Sequence, residues 1–149
     1  MPAYSKSSES KLDTCSTALQ RLFRRVVQFY DNTIIDGHRS AETQLELYNS
    51  GASKVLHSKH NNEPSEAVDS GPYLPGRGIP WPKVPTSWDD AGQRGRYIKD
   101  LAQFYHYAGF VEAMAIDEGV NIRWGGDWDR DHNLSDQTFD DLVHFEELT

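Results

Sequence analysis

An α+β fold is compatible with the order of elements that the sequence indicates. Amphipathic helical segments come first, and most of the short apolar runs typical of strands come last. The chain has 149 residues, a length that suits one compact domain with its own hydrophobic core. Hydrophobic residues make up 37% of it, which is enough apolar material for such a core. No internal repeat is visible, so we expect a single domain over residues 1–149.

The first helix is indicated by the spacing of apolar residues. Residues 1–12 are rich in Ser and Lys and are expected to be flexible. From residue 19 to residue 30 the apolar positions recur at intervals of three and four, the pattern of an amphipathic helix. Three upstream residues are candidate N-caps for it: Asp13, Thr14 and Ser16.

The elements that follow are short and clearly bounded. Residues 33–35 are typical of a buried strand. Ser40 is the expected N-cap of a second helix, and Gly51 is expected at its C′ position, where a left-handed backbone favours glycine. A third helix is expected from Tyr97 to about Glu118. Two more strands are expected at residues 121–124 and 142–145.

Residues 70–96 hold most of the prolines and several glycines of the chain. This composition predicts a segment without regular secondary structure, because proline lacks the N–H that helices and sheets use. Long loops in compact domains are often functional. Tyr73, Trp81 and Trp88 predict that this loop is ordered, and that it either packs on the core or lines a cleft.

Charge and cysteine content exclude several classes of function. The formal net charge of −8 opposes binding to nucleic acid and to anionic membrane surfaces. Cys15 is the single cysteine, so neither an intrachain disulfide nor a cysteine-based metal site can form. The N-terminus lacks the apolar segment of a signal peptide, and no apolar run reaches membrane-spanning length.

Two separated segments carry residues suited to zinc chemistry. A catalytic zinc ion takes three protein ligands, from histidine nitrogens and carboxylate oxygens, and keeps one position for water. His60, Asp69 and His144 would leave such an ion with net positive charge, which lowers the pKa of a bound water. Asp141 is the candidate general base. Spacing alone leaves the ligands open, because four other histidines could replace either imidazole: His38, His57, His106 and His132.

Three motifs, in this order along the chain, resemble the signature of one family. They are Gly37-His38-Arg39-Ser40 with Gln44; Ser58-x-His60 followed by Ala67-x-Asp69; and Asp141-x-x-His144-Phe145-Glu146. The family comprises bacterial and phage zinc peptidases of peptidoglycan. Its members are D-Ala-D-Ala carboxypeptidases and dipeptidases, and L-alanyl-D-glutamate endopeptidases. The segment RWGGDWD, residues 123–129, resembles phage lysis enzymes of this family in particular.

The resemblance implies catalytic roles for the motif residues. His60, Asp69 and His144 would bind zinc. Asp141 would act as general base and then as general acid, with Asp140 as the alternative. Arg39 would face the substrate beside the scissile carbonyl and donate hydrogen bonds to the developing oxyanion.

It also implies contacts around the reacting centre. Ser58, Gln44 and Trp128 are the expected substrate-binding residues, although Ser58 could instead cap a turn and Gln44 could hold the Arg39 segment. Glu146 is expected to orient a ligand imidazole or to pair with a basic residue. Two further residues are expected to line the groove or to pack at a strand end: Trp124 and Asp127.

Two departures from the family pattern S-x-H-x-x-G-x-A-x-D concern the first ligand loop. The spacing from His60 to Asp69 is two residues longer than in the pattern, and Ser65 stands in place of its glycine. We interpret residues 61–64 as the site of a two-residue insertion in the turn between the two ligands, with Pro64 fixing the shape of that turn. A longer turn removes the demand for a glycine there.

The implied fold is a small, mostly antiparallel sheet that carries the zinc site, with helices packed on one side. The implied reaction is zinc-dependent hydrolysis of the L-Ala–D-Glu bond in the peptidoglycan stem peptide, by a phage endolysin. Two alternatives are a D-Ala-D-Ala carboxypeptidase of the same family and a zinc-bearing binding module without turnover. The expected partner is bacterial peptidoglycan, and the expected state is a monomer. It would stay in the host cytoplasm until a holin-type protein opens the membrane.

Overall fold

The computed structural model describes residues 1–149 and confirms the α+β class. Four α-helices and four β-strands alternate irregularly along the chain, and two 3₁₀ turns lie at Lys59–Asn61 and Leu134–Asp136. In chain order the helices and strands are α1 (Lys6–Leu12), α2 (Thr17–Val26), β1 (Asn32–Asp36), α3 (Ala41–Asn49), β2 (Ala67–Pro72), α4 (Ala91–Glu118), β3 (Ile122–Gly125) and β4 (Asp141–Glu147).

The four strands form one antiparallel sheet in the order β1-β2-β4-β3. Strand β4 therefore pairs with β2 on one side and with β3 on the other. In this register Asp69 lies directly opposite His144, and Val68 lies opposite Phe145. The small antiparallel sheet expected from the family resemblance is confirmed.

Alternation along the central strands gives the sheet two different faces. Val68, Trp124 and Phe145 point to one face, where all three are buried in the hydrophobic core. Their neighbours Asp69 and His144 point to the other face, because successive side chains of a strand alternate between faces. The polar face is thus held in place by an apolar core directly beneath it.

Helices α2 and α4 cover the apolar face. Phe145 of the sheet makes edge-to-face contacts with Phe23 of α2 (ring centroids 5.6 Å apart) and with Tyr107 of α4 (6.1 Å). Tyr107 is fully buried, and its hydroxyl lies 2.7 Å from the hydroxyl of Ser70. Burial of aromatic side chains on this scale is a main source of stability in a domain of this size.

The expected helix boundaries are confirmed where capping residues determine them. Ser16 caps α2 through the backbone N–H of Leu19, and Ser40 caps α3 through that of Thr43. Gly51 follows α3 with a φ of +80°, in the left-handed region expected at C′.

Two expectations about irregular segments are wrong. Residues 1–12 are not uniformly flexible, because Lys6–Leu12 form helix α1 and Leu12 is fully buried in the core. The proline-rich segment is shorter than residues 70–96. Its first residues complete β2, which pairs with β1 as far as Pro72, and its last residues open α4 at Ala91.

The segment between these limits is ordered, as expected. The indole of Trp81 packs against the ring of Phe104, with ring centroids 5.5 Å apart. Arg77 forms a two-pronged ion pair with Asp100 of α4 at 3.0 and 3.1 Å. None of the helices combines the length and the apolar character that a membrane crossing requires.

Candidate metal centre and cleft

Three donor side chains converge on the polar face of the sheet. Asp69 and His144 come from paired positions of β2 and β4, and His60 comes from the 3₁₀ turn before β2. Asp69 Oδ1 lies 3.1 Å from His60 Nε2 and 3.3 Å from His144 Nδ1. One potential ligand atom from each residue lies within 4.8 Å of the other two. The structure therefore brings together the three residues expected to bind the metal.

The outer nitrogen of each imidazole has its own hydrogen-bond partner. His60 Nδ1 donates to the carbonyl of Gly37 at 2.6 Å, and His144 Nε2 donates to Glu146 Oε1 at 2.9 Å. Both partners are acceptors, so they hold the ring protons on the outer nitrogens and leave the inner lone pairs facing Asp69. Two lone pairs and a carboxylate oxygen repel one another unless a proton or a cation lies between them. The site therefore fits a metal ion with two imidazole ligands and one carboxylate ligand.

The same contacts shift the pKa values of the buried groups. Burial raises the pKa of Asp69, but in the absence of a metal its contacts with the imidazoles of His144 and His60 outweigh burial and hold that pKa below its usual range. Burial lowers the pKa of His144, but Asp69 and Glu146 outweigh it and raise that pKa to about 9. Burial also raises the pKa of Glu146, but His144 and Arg123 outweigh it and lower that pKa to about 2. Without a metal, these residues form a network that favours a protonated His144 between two carboxylates.

Arg39 lies beside the donors and is held in one geometry by three side chains. Its Nε and Nη2 bond Asp36 Oδ2 at 3.0 and 2.9 Å, and its Nη2 also reaches Asp69 Oδ2 at 3.3 Å. Its Nη1 donates to Gln44 Oε1 at 2.9 Å. Of the five guanidinium N–H groups, these bonds leave one on Nη1 without a partner. Arg39 thus orients the Asp69 carboxylate and keeps one donor for another group.

Gln44 lies behind Arg39 and is fully buried. Its amide nitrogen donates to Ser53 Oγ at 2.8 Å and to the carbonyl of Val55 at 2.7 Å. It does not line the cleft, which corrects its assignment as a substrate-binding residue. The position of Gln44 agrees with the alternative interpretation, in which it holds the Arg39 segment.

Asp141 begins β4 at the edge of the donor group. Burial raises the pKa of its carboxyl, and the nearby Asp69 charge raises it further. Gly125 lies so close that a Cβ there would come within 2.2 Å of the Asp141 carbonyl oxygen. Asp141 therefore occupies a fixed position, in an environment that favours its taking up a proton.

A cleft of about 810 Å³ opens over these residues. It is lined by Asp141, Arg39 and the three converging donors, and by two loops. One is the α3 loop, Ala52 to Lys59, and the other is the β3–β4 loop, Gly126 to Asp140. Its volume is in the range of ligand-binding pockets.

Comparison with known proteins places the chain in a family. A family model described as phage L-alanyl-D-glutamate peptidase matches residues 2–92, which is more than half of the chain. The chain belongs to this family. A solved structure, the L-Ala D-Glu endopeptidase ChiX of Serratia marcescens, is similar to it with a TM-score of 0.65 and 25% identity, over 97% of this chain and 89% of that one. No curated protein sequence matches the chain significantly.

The other expected cleft residues of this phage peptidase family member take different places. Ser58 lines the cleft, and its hydroxyl accepts from the His60 N–H at 3.2 Å, so it also caps the turn that carries His60. Trp128 lines the cleft and lies against His144, with ring centroids 5.6 Å apart. Trp124 and Asp127 are buried and do not line it, so of the two alternatives they follow the one in which they pack at the end of β3.

The remaining histidines do not compete for the site. His38 contacts the carbonyl of Asn62 and the carboxylate of Glu63, and His106 contacts the Tyr30 hydroxyl. His57 lines the cleft but does not join the donor group, and neither does His132. Asp140, the alternative to Asp141, is not among the residues that line the cleft.

Several residues have structural roles that were not predicted from the sequence. Asp36 holds Arg39, Gly37 supplies the carbonyl that fixes His60, and Gly125 allows β3 to approach Asp141. Ser65 is a further case: it is buried, and its backbone pairs with Thr14 and Ser16. Asp36 stands directly after a predicted strand, and Gly37 opens the first motif, so their positions could have marked them. The contact with Ser65 depends on tertiary structure and has no local signal.

Proposed function

We propose that this protein is a zinc-dependent endopeptidase that hydrolyses the L-Ala–D-Glu bond of the peptidoglycan stem peptide. The observation that carries the proposal is the convergence of His60, Asp69 and His144 beside Asp141 in a cleft. Membership of a phage L-alanyl-D-glutamate peptidase family and similarity to an L-Ala D-Glu endopeptidase support the choice of substrate.

His60 Nε2, Asp69 Oδ1 and His144 Nδ1 would hold the zinc ion. When bound, zinc supplies Lewis-acid chemistry that lowers the pKa of a water and polarises a carbonyl. Glu146 and the Gly37 carbonyl keep the two imidazoles in the tautomers that binding requires.

Asp141 takes the proton from the attacking water and delivers it to the leaving amine of D-Glu. A general base works best when its pKa lies near the working pH. The raised pKa of this buried carboxyl moves it in that direction. Asp69 keeps its negative charge, because its pKa is held low. The two carboxylates thus have different roles although they lie in one site.

Arg39 donates its remaining Nη1 N–H to the carbonyl oxygen as negative charge develops on it. The other four N–H groups stay with Asp36, Gln44 and Asp69, so the donor needs little reorganisation during the reaction. A fixed donor of this kind is worth roughly 10²–10³ in rate.

The biological setting that fits this chemistry is lysis of a host cell by a phage. We propose that the chain acts as one catalytic domain, in which Ser58 and Trp128 contact the substrate. The protein would remain in the host cytoplasm until a holin-type protein opens the membrane, and would then reach the cell wall.

The test is mass spectrometry of the soluble products released from purified peptidoglycan, with and without a zinc chelator. We expect peptides that begin with D-Glu, lost when chelator is added and restored by zinc. Metal analysis of the purified protein should give about one zinc per chain, as a single site with three protein ligands implies.

The other outcomes are equally informative. Release of free D-Ala in place of D-Glu peptides would assign the protein to the carboxypeptidase branch. A protein that binds zinc but releases no product from walls of several chemotypes would fit a binding module. Activity that survives full removal of metal would refute the zinc mechanism.

A further inference from the structure

The basic side chains of the cleft are paired with acids, with one exception among the lysines and arginines. Arg39 bonds Asp36 and Asp69, and both Lys59 and Arg123 reach Glu146. Lys54 forms no ion pair and no hydrogen bond through its side chain. Its ammonium lies 5.8 Å from the centroid of the Phe139 ring, a weak contact at an exposed position. The cleft therefore has one lysine whose charge is free to meet an anion.

The two loops of the cleft differ in charge. The α3 loop contributes Lys54, His57 and Lys59 and no acidic residue. The β3–β4 loop contributes Asp129 and Asp136, whose carboxylates accept only from amide groups of the chain. An anionic group entering the cleft is therefore attracted to the α3 loop and repelled by the β3–β4 loop.

A second, apolar pocket of about 200 Å³ shares one lining residue, Asp141, with the cleft. Five other residues form its walls: Trp81, Pro82, Phe104, Leu142 and Val143. The residue assigned to proton transfer is thus shared by a polar cavity on one side and an apolar pocket on the other. Trp81 is 56% exposed although it is a tryptophan, so much of its indole surface is available for contact.

The proposed substrate has the same asymmetry about its scissile bond. On the amine side stands D-Glu, whose α-carboxylate stays free because the stem continues through the γ-carboxyl. On the acyl side stands L-Ala, with a methyl group and a link to the lactyl group of the sugar. One side therefore carries a charge that needs a cation, and the other offers apolar surface.

We propose that the substrate lies across Asp141 in one direction, with the D-Glu carboxylate on Lys54 and the L-Ala and lactyl groups in the pocket beside Trp81. This assignment rests on the proposed function. Lys54 then determines specificity on the amine side of the bond, and Trp81 on the acyl side. Neither residue is a zinc ligand or a proton-transfer group.

The test uses zinc-loaded protein and soluble muropeptides that differ at one group. The first pair carries D-Glu with either a free α-carboxylate or an α-carboxamide. Wild-type protein should prefer the carboxylate in kcat/KM, by roughly three- to tenfold for a partly exposed ion pair. Lys54→Gln should lose this preference. Lys6→Gln removes the same charge from α1, outside the cleft, and should retain it.

The second pair varies the acyl side, with L-Ala either free at its amine or joined to the muramyl lactyl group. Wild-type protein should prefer the joined form, and Trp81→Ala should reduce that preference about three- to tenfold. Trp88→Ala is the matched control, because Trp88 is 54% exposed on the same loop but does not line the apolar pocket.

The results distinguish a wrong substrate direction from a wrong proposed function. If Lys54→Gln keeps the carboxylate preference, or changes the acyl-side preference instead, the assignment of direction is wrong. The same holds if Trp81→Ala acts on the carboxylate pair or leaves the acyl-side preference intact. Wild-type protein that cleaves none of the muropeptides would overturn the proposed function, and this inference with it.

Discussion

In the candidate metal centre, some residues offer donor atoms to a metal, and other residues hold those donors in place. His60 and His144 each have one nitrogen facing Asp69 and the other bound to an acceptor of the chain. This pairing keeps a proton on the outer nitrogen of each ring, so the inner nitrogen is the one that a metal would use once any proton on it is lost. Removing a supporting residue should therefore weaken metal binding without removing a ligand.

Replacing Glu146 by glutamine tests this support. The carboxamide keeps the size of the side chain but loses the charge that holds the proton on His144 Nε2. We expect zinc affinity to fall about 10- to 100-fold, measured by competition with a chromogenic chelator. Glu147→Gln is the matched control, since Glu147 bonds Ser16 instead and should leave the affinity unchanged. Equal affinities of wild type and Glu146→Gln would show that Glu146 does not support the site.

Asp141→Asn separates catalysis from metal binding. The variant keeps the shape of the side chain but cannot take up a proton from water. We expect kcat/KM to fall about 10²- to 10⁴-fold while the zinc content stays at the wild-type level. Muropeptide cleavage and metal analysis on the same sample give both quantities. A parallel loss of zinc would instead make Asp141 part of the metal site.

The sequence identified these residues more easily than their arrangement. The candidate ligands were named from motifs, but their contact depends on the register that sets Asp69 opposite His144, seventy-five residues apart. No spacing rule encodes that register. Gln44 was misplaced for a related reason, because a motif position does not reveal whether a side chain faces the cleft or lies behind Arg39.

Among the elements, helix ends marked by capping residues were predicted well, whereas helical spacing carried the first helix to residue 30 and α2 ends at Val26. Ser16, Ser40 and Gly51 act locally, so their effect can be read from neighbouring residues. Strand β2 was missed because Gly71 and Pro72 are typical of loops, yet here they pair with β1. Helix α1 was missed because its polar sequence hides two buried positions, Ser8 and Leu12.

Also among the elements, the close contact between β3 and β4 sets the position of Asp141. In Gly125→Ala the new methyl carbon would lie 2.2 Å from the Asp141 carbonyl oxygen, so the strands must separate. We expect a loss of about 1–3 kcal/mol in the free energy of unfolding, measured in urea, together with reduced turnover.

Gly109→Ala is the control for that experiment. Gly109 lies inside α4, and an added Cβ meets no atom within 4 Å. Because alanine favours the helix, this variant should gain about 0.4–1 kcal/mol and keep its activity. If both variants are equally stable, the close approach at Gly125 is unimportant.

For the whole molecule, the buried acids and His144 determine how stability depends on pH without metal. The pKa of Glu146 is lowered to about 2, so its contribution is present above the unfolded value of 4.5 and is lost as the pH falls towards 2. The pKa of His144 is raised to about 9, so its contribution is present below the unfolded value of 6.5 and is lost as the pH rises towards 9.

The metal-free protein should therefore be most stable between about pH 4.5 and 6.5. Urea unfolding in the presence of chelator, at pH 3, 5.5 and 9, measures this. Zinc should remove the alkaline decline, because a metal takes the place of the proton on the network. A metal-free protein that gains stability from pH 5.5 to 9 would contradict these pKa shifts.

The position of β4 in the sheet has a consequence for biosynthesis. It is synthesised after β1, β2 and β3, yet it lies between β2 and β3. Until it leaves the ribosome, β3 has no partner strand, and His60 and Asp69 wait without His144 or Asp141. A nascent chain therefore lacks the complete set of donors, and the candidate centre closes in the same step that completes the sheet. Protease sensitivity of chains arrested before Asp141, compared with released chains, would measure this delay.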